Sequence, residues 1–342
     1  MKPAEGLTLS RHALQAQRAH PEAGEEFAAL LTQIGLAAKV IAREIGRAAL
    51  AGTLGAAGTV NVQGEQVKKL DVLSNEIMVE ALTASALVCT MVSEEMDEPL
   101  HLDAACRRGQ YVVCFDPLDG SSNIDINGVV GTIFSIRRRG GRGPDHAMAD
   151  VLRRGTEQVA AGYVMYGPST VFVYTAGNDV HGFTLDPTIG EFLLSHENIR
   201  IPARGKTYSV NEGNFQRWRP HTQRLVEHLR STARPDGKPY SLRYVGSLVA
   251  DLHRTLLEGG IYLYPEDADD PKRPTGKLRL LYEAAPLGLV AEAAGGRAST
   301  GTQRILEVEP TSPHQRVPLF IGSPEDVALA EAFYRGVESN KQ

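Results

Sequence analysis

Across residues 26–51, apolar side chains return every three or four positions, at Leu30, Ile34, Ala37, Ile41 and Ile45. That repeat is one buried face of a helix, so a long amphipathic helix is expected there. The same step through Leu70, Leu73, Ile77 and Leu82 predicts another, with Asp71 near its start, and a shorter helix is expected near Leu9–Ala19. Between the two long patterns, residues 52–64 are rich in glycine and small side chains; they predict a loop, either a lid over a site or a plain connector. The period then changes. Residues 87–92 and 112–115 are unbroken apolar runs of β-formers, as in buried strands. Residues 129–136, 160–166, 171–174 and 191–194 follow between Gly, Pro and Asp turns and predict successive antiparallel hairpins.

Residues 201–206 read as the passage to a second lobe. There helices near 221–230 and 246–257 alternate with strands at 208–210, 261–264 and 319–321. Residues 278–282 are expected to be a strand feeding a helix of small residues. Ser323-Pro324-Glu325-Asp326 carries the cap and first-turn pattern of a terminal helix. A chain of 342 residues exceeds the ~250–300 at which single cores stop growing, so two α/β lobes are expected, 1–200 and 201–342.

Charge and composition narrow the partners. Lys plus Arg is 36 against 41 Asp plus Glu, a net charge of −5, which offers no general attraction to nucleic acid or to an anionic membrane. No run approaches the ~18 apolar residues of a membrane span. Cys89, Cys106 and Cys114 are too few for a disulfide framework, and two of them lie in apolar runs, so a reducing cytoplasm is expected.

The chemistry concentrates where the 112–115 strand meets Asp116-Pro117-Leu118-Asp119-Gly120-Ser121-Ser122. Two carboxylates about a stiff proline suit a hard cation, and a glycine followed by two serines offers amides and hydroxyls to a phosphate. The plain reading is a β-turn, although the polar stretch is longer than a turn needs. The 87–92 strand ends in Ser93-Glu94-Glu95, and ligands of open α/β sheets gather at strand carboxyl ends, so four acids would meet there and repel unless cations lie between them. Glu283, at a strand–helix junction, could equally reach a metal or offset a helix N-terminus. Tyr244, Tyr264 and Lys277 could hold a second phosphate, or the tyrosines could simply pack their rings. The Arg137, Arg138, Arg139 and Arg142 run reads as solvated surface or as an effector-anion site.

The blocks GEQVKKLDVLSN (64–75), VSEE (92–95), YVVCFDPLDGSSNID (111–125), YSVNEGN (208–214), RYVGSLVADLHRTL (243–256) and GKLRLLYEAAP (276–286) make the chain resemble class I fructose-1,6-bisphosphatases of the lithium-sensitive sugar phosphatase superfamily, nearly end to end. The resemblance implies a layered α-β-α-β-α sandwich in two lobes, and removal of the 1-phosphate of fructose 1,6-bisphosphate by a metal-activated water. Activity on sedoheptulose 1,7-bisphosphate is the nearest alternative; an inositol monophosphatase or a non-catalytic anion-binding regulator is more remote.

Carried onto this sequence, the resemblance implies Mg²⁺, replaceable by Mn²⁺ or Zn²⁺, held by Glu94, Glu95, Asp116, Asp119, Glu283 and the Leu118 carbonyl. Asp71 and Glu95 would activate the water. Asp119, Gly120, Ser121 and Ser122 would meet the 1-phosphate with Arg279 nearby; Asn211, Tyr244, Tyr264 and Lys277 would grip the 6-phosphate, and Arg243 would reach a neighbouring subunit of a homotetramer. Asn214 stands where a tyrosine is usual, and Glu65 replaces an aspartate. The family's AMP site is eroded: Thr-Gly-Glu-Leu-Thr reads Ala23-Gly24-Glu25-Glu26-Phe27 and a lysine has become Gln110, although Tyr111 and Arg138 match. Weak or absent AMP inhibition is expected. The plant enzyme's cysteine loop is missing, since residues 137–154 contain no cysteine, so thiol-disulfide control is not expected.

Overall fold

The computed structural model describes residues 6–336 except 20, 61–65, 103–105, 107–108, 142–146, 178, 233–236 and 268–274, so Glu65 and Arg142 lie outside the described residues. Helices α1 (Leu9–Ala19), α2 (Phe27–Ala51) and α3 (Lys69–Ser85) lie close to the expected boundaries. Gly52, at φ 71°, ends α2 where a side chain would be strained. Part of the expected 52–64 loop is instead a strand: β1 (Ala56–Val60) pairs antiparallel with β2 (Gln66–Lys68).

Eight strands then form the first sheet: β3 (Val88–Ser93), β4 (Leu100–His101), β5 (Tyr111–Asp119), β6 (Val130–Arg138), β7 (Gln158–Tyr166), β8 (Thr170–Thr175), β9 (Val180–Asp186) and β10 (Glu191–His196). Their order is β10-β9-β8-β7-β6-β5-β3-β4, antiparallel except for β3 beside β5. Alternation explains how both faces stay dry. In β6, Val130, Phe134 and Ile136 join the core under α1–α3, while Ile133 joins the core on the opposite face.

A short helix α4 (Ala147–Val151) follows β6. The rest of the chain adds α5 (Pro220–Arg230), α6 (Leu248–Glu258), α7 (Ala285–Ala293) and α8 (Pro324–Tyr334), with strands β11 (Thr207–Ser209), β12 (Ser241–Leu242), β13 (Ile261–Tyr264), β14 (Leu278–Arg279), β15 (Arg297–Ser299), β16 (Arg316–Val317) and β17 (Leu319–Gly322). The second sheet runs β12-β11-β13-β17-β15. Leu248, Leu252, Leu287 and Val290 of α6 and α7 pack between the sheets, and Leu225, Val226, Val327 and Ala330 of α5 and α8 cover the outer face of the second. The layers are therefore α-β-α-β-α.

Several local expectations are corrected. β5 continues through Asp116 to Asp119 rather than stopping at the acids. Only Leu278–Arg279 is strand; Leu280–Ala284 is one π-helical turn leading into α7. Ser323 sits before α8, but its hydroxyl accepts from Gly260 N at 3.0 Å and makes no side-chain cap. Arg137 is a fully buried β6 residue rather than part of a solvated loop, with Nη1 donating to Ser135 Oγ at 2.9 Å. No disulfide framework was expected, yet Cys89 and Cys106 are joined by a disulfide, Sγ–Sγ 2.01 Å, and Cys114 is free. A spacing of 17 residues in a three-cysteine chain carries no pairing signal; the proximity is made by the fold.

Candidate active site

The parallel pair β3 and β5 places two acid-bearing ends side by side. Ser93 is in register with Phe115, and Glu94 N donates to Phe115 O at 3.2 Å, so Glu94 and Glu95 emerge beside Asp116. A regular strand would turn Asp116 and Asp119, three residues apart, to opposite faces. Here Asp116 faces Ile133 and Asp119 faces Gly131, three steps on β5 against two on β6. This bulge absorbs Pro117, which has no N–H for the ladder, and turns both acids into one cleft. Leu118 N donates to Asp116 Oδ1 at 2.9 Å and holds that carboxylate in place.

Asp119 is tied to the start of α6. It accepts from Ser247 Oγ at 2.7 Å, Leu248 N at 3.1 Å and Val249 N at 2.9 Å, and so satisfies orphan donors of the helix start. Gly120, at φ 75°, follows; a Cβ there would stand 2.6 Å from the Ser247 Cβ. The glycine is thus required by the turn and by close packing on Ser247, a constraint that access for a phosphate did not reveal. Ser121 and Ser122 open a 3₁₀ turn, Ser121–Ile126.

Asp71 lies in the first turn of α3, and its Oδ2 accepts from Lys68 N at 2.7 Å, so it serves as the helix cap while facing the same cleft. Burial pushes its pKa up to about 6, against the opposing hydrogen bonds of Lys68 and Ser121. Burial likewise raises Asp119 to about 6 and Glu283 to about 8, and lifts Asp116 well above the carboxylate range, with Glu94, Asp119 and Glu283 repelling its charge.

The π turn brings Glu283 back onto Arg279: Arg279 N donates to Glu283 Oε2 at 2.5 Å, and Arg279 Nη2 stands 2.6 Å from Glu94 Oε1. Arg279 Nη1 also stands 3.7 Å from Glu283 Oε2, so a single buried guanidinium bridges Glu94, just after β3, and Glu283, just ahead of α7. Among the described residues, no three of these acids bring ligand oxygens within 4.8 Å of one another. The donors are all hard oxygens, and the negative charge facing the cleft exceeds what Arg279 offsets. Both properties fit an Mg²⁺-like cation rather than a soft metal.

Asp71, Glu94, Glu95, Asp116, Leu118, Asp119, Gly120, Ser121, Ser122, Tyr244, Tyr264, Lys277, Arg279 and Glu283 all line one cleft of about 300 Å³. Tyr264 and Lys277 also line an adjoining chamber of about 130 Å³ that contains Asn211 and Asn214. Asn211 is partly committed, its Oδ1 accepting from Gly213 N at 3.1 Å. Arg243 lies outside both spaces, exposed, with Nη1 donating to Leu242 O at 2.8 Å. Sequence reasoning missed Lys68, which lines the cleft and pairs with Asp125 at 2.7 Å, and Ser247, whose only signal was a serine ahead of an apolar helical run.

Two family models match the chain: the fructose-1-6-bisphosphatase N-terminal domain over residues 7–197 and the corresponding C-terminal domain over 201–335. The class 1 fructose-1,6-bisphosphatase of Maridesulfovibrio salexigens is 51% identical over 330 residues, covering 96% of this chain and 98% of its own length. That of Chlorobium chlorochromatii is 53% identical over 331 residues, with 96% and 98% covered. The crystal structure of Leishmania major fructose-1,6-bisphosphatase in holo form superposes with a TM-score of 0.89 at 42% identity, covering 96% of this chain and 99% of that one.

Proposed function

The chain belongs to the class 1 fructose-1,6-bisphosphatase family, and from that premise we propose how its own residues divide the work. It hydrolyses fructose 1,6-bisphosphate to fructose 6-phosphate and phosphate, as an α/β phosphoric monoester hydrolase that depends on a metal. The finer assignment rests on one observation: the β5 bulge turns Asp116 and Asp119 to a single face, against Glu94, Glu95 and Glu283.

In this reading Glu94, Glu95, Asp116, Asp119, Glu283 and the Leu118 carbonyl hold Mg²⁺, with Mn²⁺ or Zn²⁺ as substitutes. When bound, the cation lowers the pKa of water and offsets charge on the phosphoryl oxygens. Asp71 and Glu95 orient the attacking water and take its proton. Amides and hydroxyls of Gly120, Ser121 and Ser122 donate to the 1-phosphate, beside Asp119 and Arg279. The 6-phosphate lies toward Tyr244, Tyr264, Lys277 and Asn211, where the smaller chamber joins the cleft; Asn214 offers an amide in place of a phenol. The first lobe, 1–200, carries most of the metal acids, and the second, 201–342, carries the sugar grip and Glu283. Arg243, exposed beside the site, contributes to the substrate site of a neighbouring copy in a homotetramer. A cytoplasmic setting suits this chemistry, and no described helix is long and apolar enough to cross a membrane.

The test is phosphate release by Asp71→Asn with and without Mg²⁺. Loss of a base is expected to lower turnover ~10²–10⁴-fold while Mg²⁺ binding persists; unchanged turnover would remove the proposed role. Running sedoheptulose 1,7-bisphosphate beside fructose 1,6-bisphosphate decides sugar breadth.

A further inference from the structure

Toward the opposite end of β3 from the acids, Cys89, His101 and Cys106 form a second chemical cluster. Cys89 is buried at the second position of β3, and Cys106 is half-buried in the segment before β5. The disulfide between them closes a segment that contains both Glu94 and Glu95. Apart from this link, the described part of the segment is tied to β3 by two paired positions of the edge strand β4, Thr90 with His101 and Met91 with Leu100, and by Leu102 N donating to Cys89 O at 2.8 Å, while Asp97 O lies 3.1 Å from His314 Nε2. That register aims the His101 ring at the sulfurs: its Nε2 is 3.4 Å from Cys106 Sγ, its Nδ1 is 3.8 Å from Cys89 Sγ, and Thr90 Oγ1 is 3.0 Å from Nδ1. The Cys106 backbone is held from the β6 end, where Arg139 Nη1 donates to its carbonyl at 2.9 Å.

We propose that Cys89–Cys106 is a reversible thiol–disulfide modification site, opened by a dithiol reductant, that sets how firmly Glu94 and Glu95 are held. The chemistry balances with the dithiol as the source of two electrons and two protons. One reductant thiolate attacks the Sγ of Cys106, the less buried of the two residues; the Sγ–Sγ bond breaks, and its electron pair leaves on Cys89 Sγ, which takes a proton passed by His101. The reductant's second thiolate then attacks its own sulfur in the mixed disulfide, releasing Cys106 as a thiol and closing the reductant's disulfide. Once open, residues 96–102 lose the covalent tie and are left to the short β4 pairing, the Leu102–Cys89 bond and the Asp97–His314 contact, so the acids that precede them are less constrained and metal binding weakens. The thiol chemistry stands on its own geometry; its consequence for metal rests on the reading of Glu94 and Glu95 under Proposed function.

The experiment labels the whole protein with iodoacetamide under denaturing conditions, after diamide and again after dithiothreitol, and weighs it. One carbamidomethyl group, on Cys114, is expected after diamide, and three after dithiothreitol. Three after diamide overturns the proposal, as does a reduced protein that holds one zinc per chain and resists oxidation, which would make the cluster a metal site. The half-saturating Mg²⁺ concentration of the native enzyme is expected to rise at least threefold on reduction, with Cys106→Ser matching the reduced wild type under either treatment. Normal switching of label counts with an unchanged Mg²⁺ requirement overturns the regulatory claim. Normal switching in a protein that needs no divalent metal faults the assignment of the acids instead.

Discussion

Asp119 accepts three hydrogen bonds from the start of α6 while lining the cleft, so one side chain joins the candidate metal site to the helix layer between the two sheets. Ser247 is fully buried and supplies the only side-chain donor among these bonds. Ser247→Ala leaves Asp119 one donor short and α6 without its cap. Stability is expected to fall by about 1–3 kcal/mol, measured by denaturant melts. The half-saturating Mg²⁺ concentration should rise as well, because a less firmly held carboxylate is a poorer ligand; unchanged stability and Mg²⁺ response would show that Asp119 is positioned by backbone alone. Asp71 also has two duties, as cap of α3 through Lys68 N and as candidate base. Asp71→Asn keeps the shape of the cap but not the charge, which is why it is the variant to test.

The junction of α1 and α2 is where the resemblance would place an AMP site, and its packing bears on whether AMP can bind. The two side chains that still match the family's AMP site have partners within this chain. Tyr111 donates its hydroxyl to Ala23 O at 2.9 Å, and Arg138 Nη2 donates to Gln110 Oε1 at 3.0 Å. An incoming phosphate would have to displace both bonds and would find no lysine at 110 and no hydroxyl at 23 or 27. Each lost donor weakens binding by about 1–3 kcal/mol. No inhibition by submillimolar AMP is expected in a phosphate-release assay, and a submillimolar inhibition constant would refute this. The β5 bulge is the corresponding device for catalysis. Removing its extra residue would return Asp116 and Asp119 to opposite faces, so the feature that interrupts the ladder is also the one that assembles the site.

For the whole molecule, the buried acids couple stability to pH and to metal. Asp71 and Asp119, raised to about 6, and Glu283, raised to about 8, keep protons in the folded chain that the unfolded chain releases near pH 4. Stability from this source is complete below the unfolded values and is lost as pH rises through 6 to 8. His12 and His253 act oppositely: burial lowers both to about 4, so they cost stability only below about 6.5. Between pH 6.5 and 8 the acids dominate this balance. In chelator, Tm should therefore fall across that window, and Mg²⁺ should raise Tm more at pH 8 than at pH 6.5, because the cation binds the ionised acids. A chelated Tm that is flat or rising from pH 6.5 to 8 would show that these carboxylates are not strained by burial.

From the sequence alone came the long helices, the antiparallel run of the first sheet and most of the residues that line the cleft. Those features are written locally, in periodicity, turn residues and dense motifs, and burial of an apolar face leaves few arrangements for them. The π turn at Leu280–Ala284, the burial of Arg137, the bulge that aligns Asp116 with Asp119, the hold of Ser247 on Asp119 and the Cys89–Cys106 link were decided only in the tertiary structure. Each depends on which distant segment packs alongside, and a one-residue change of register or a contact between residues far apart in the chain leaves no mark on local pattern.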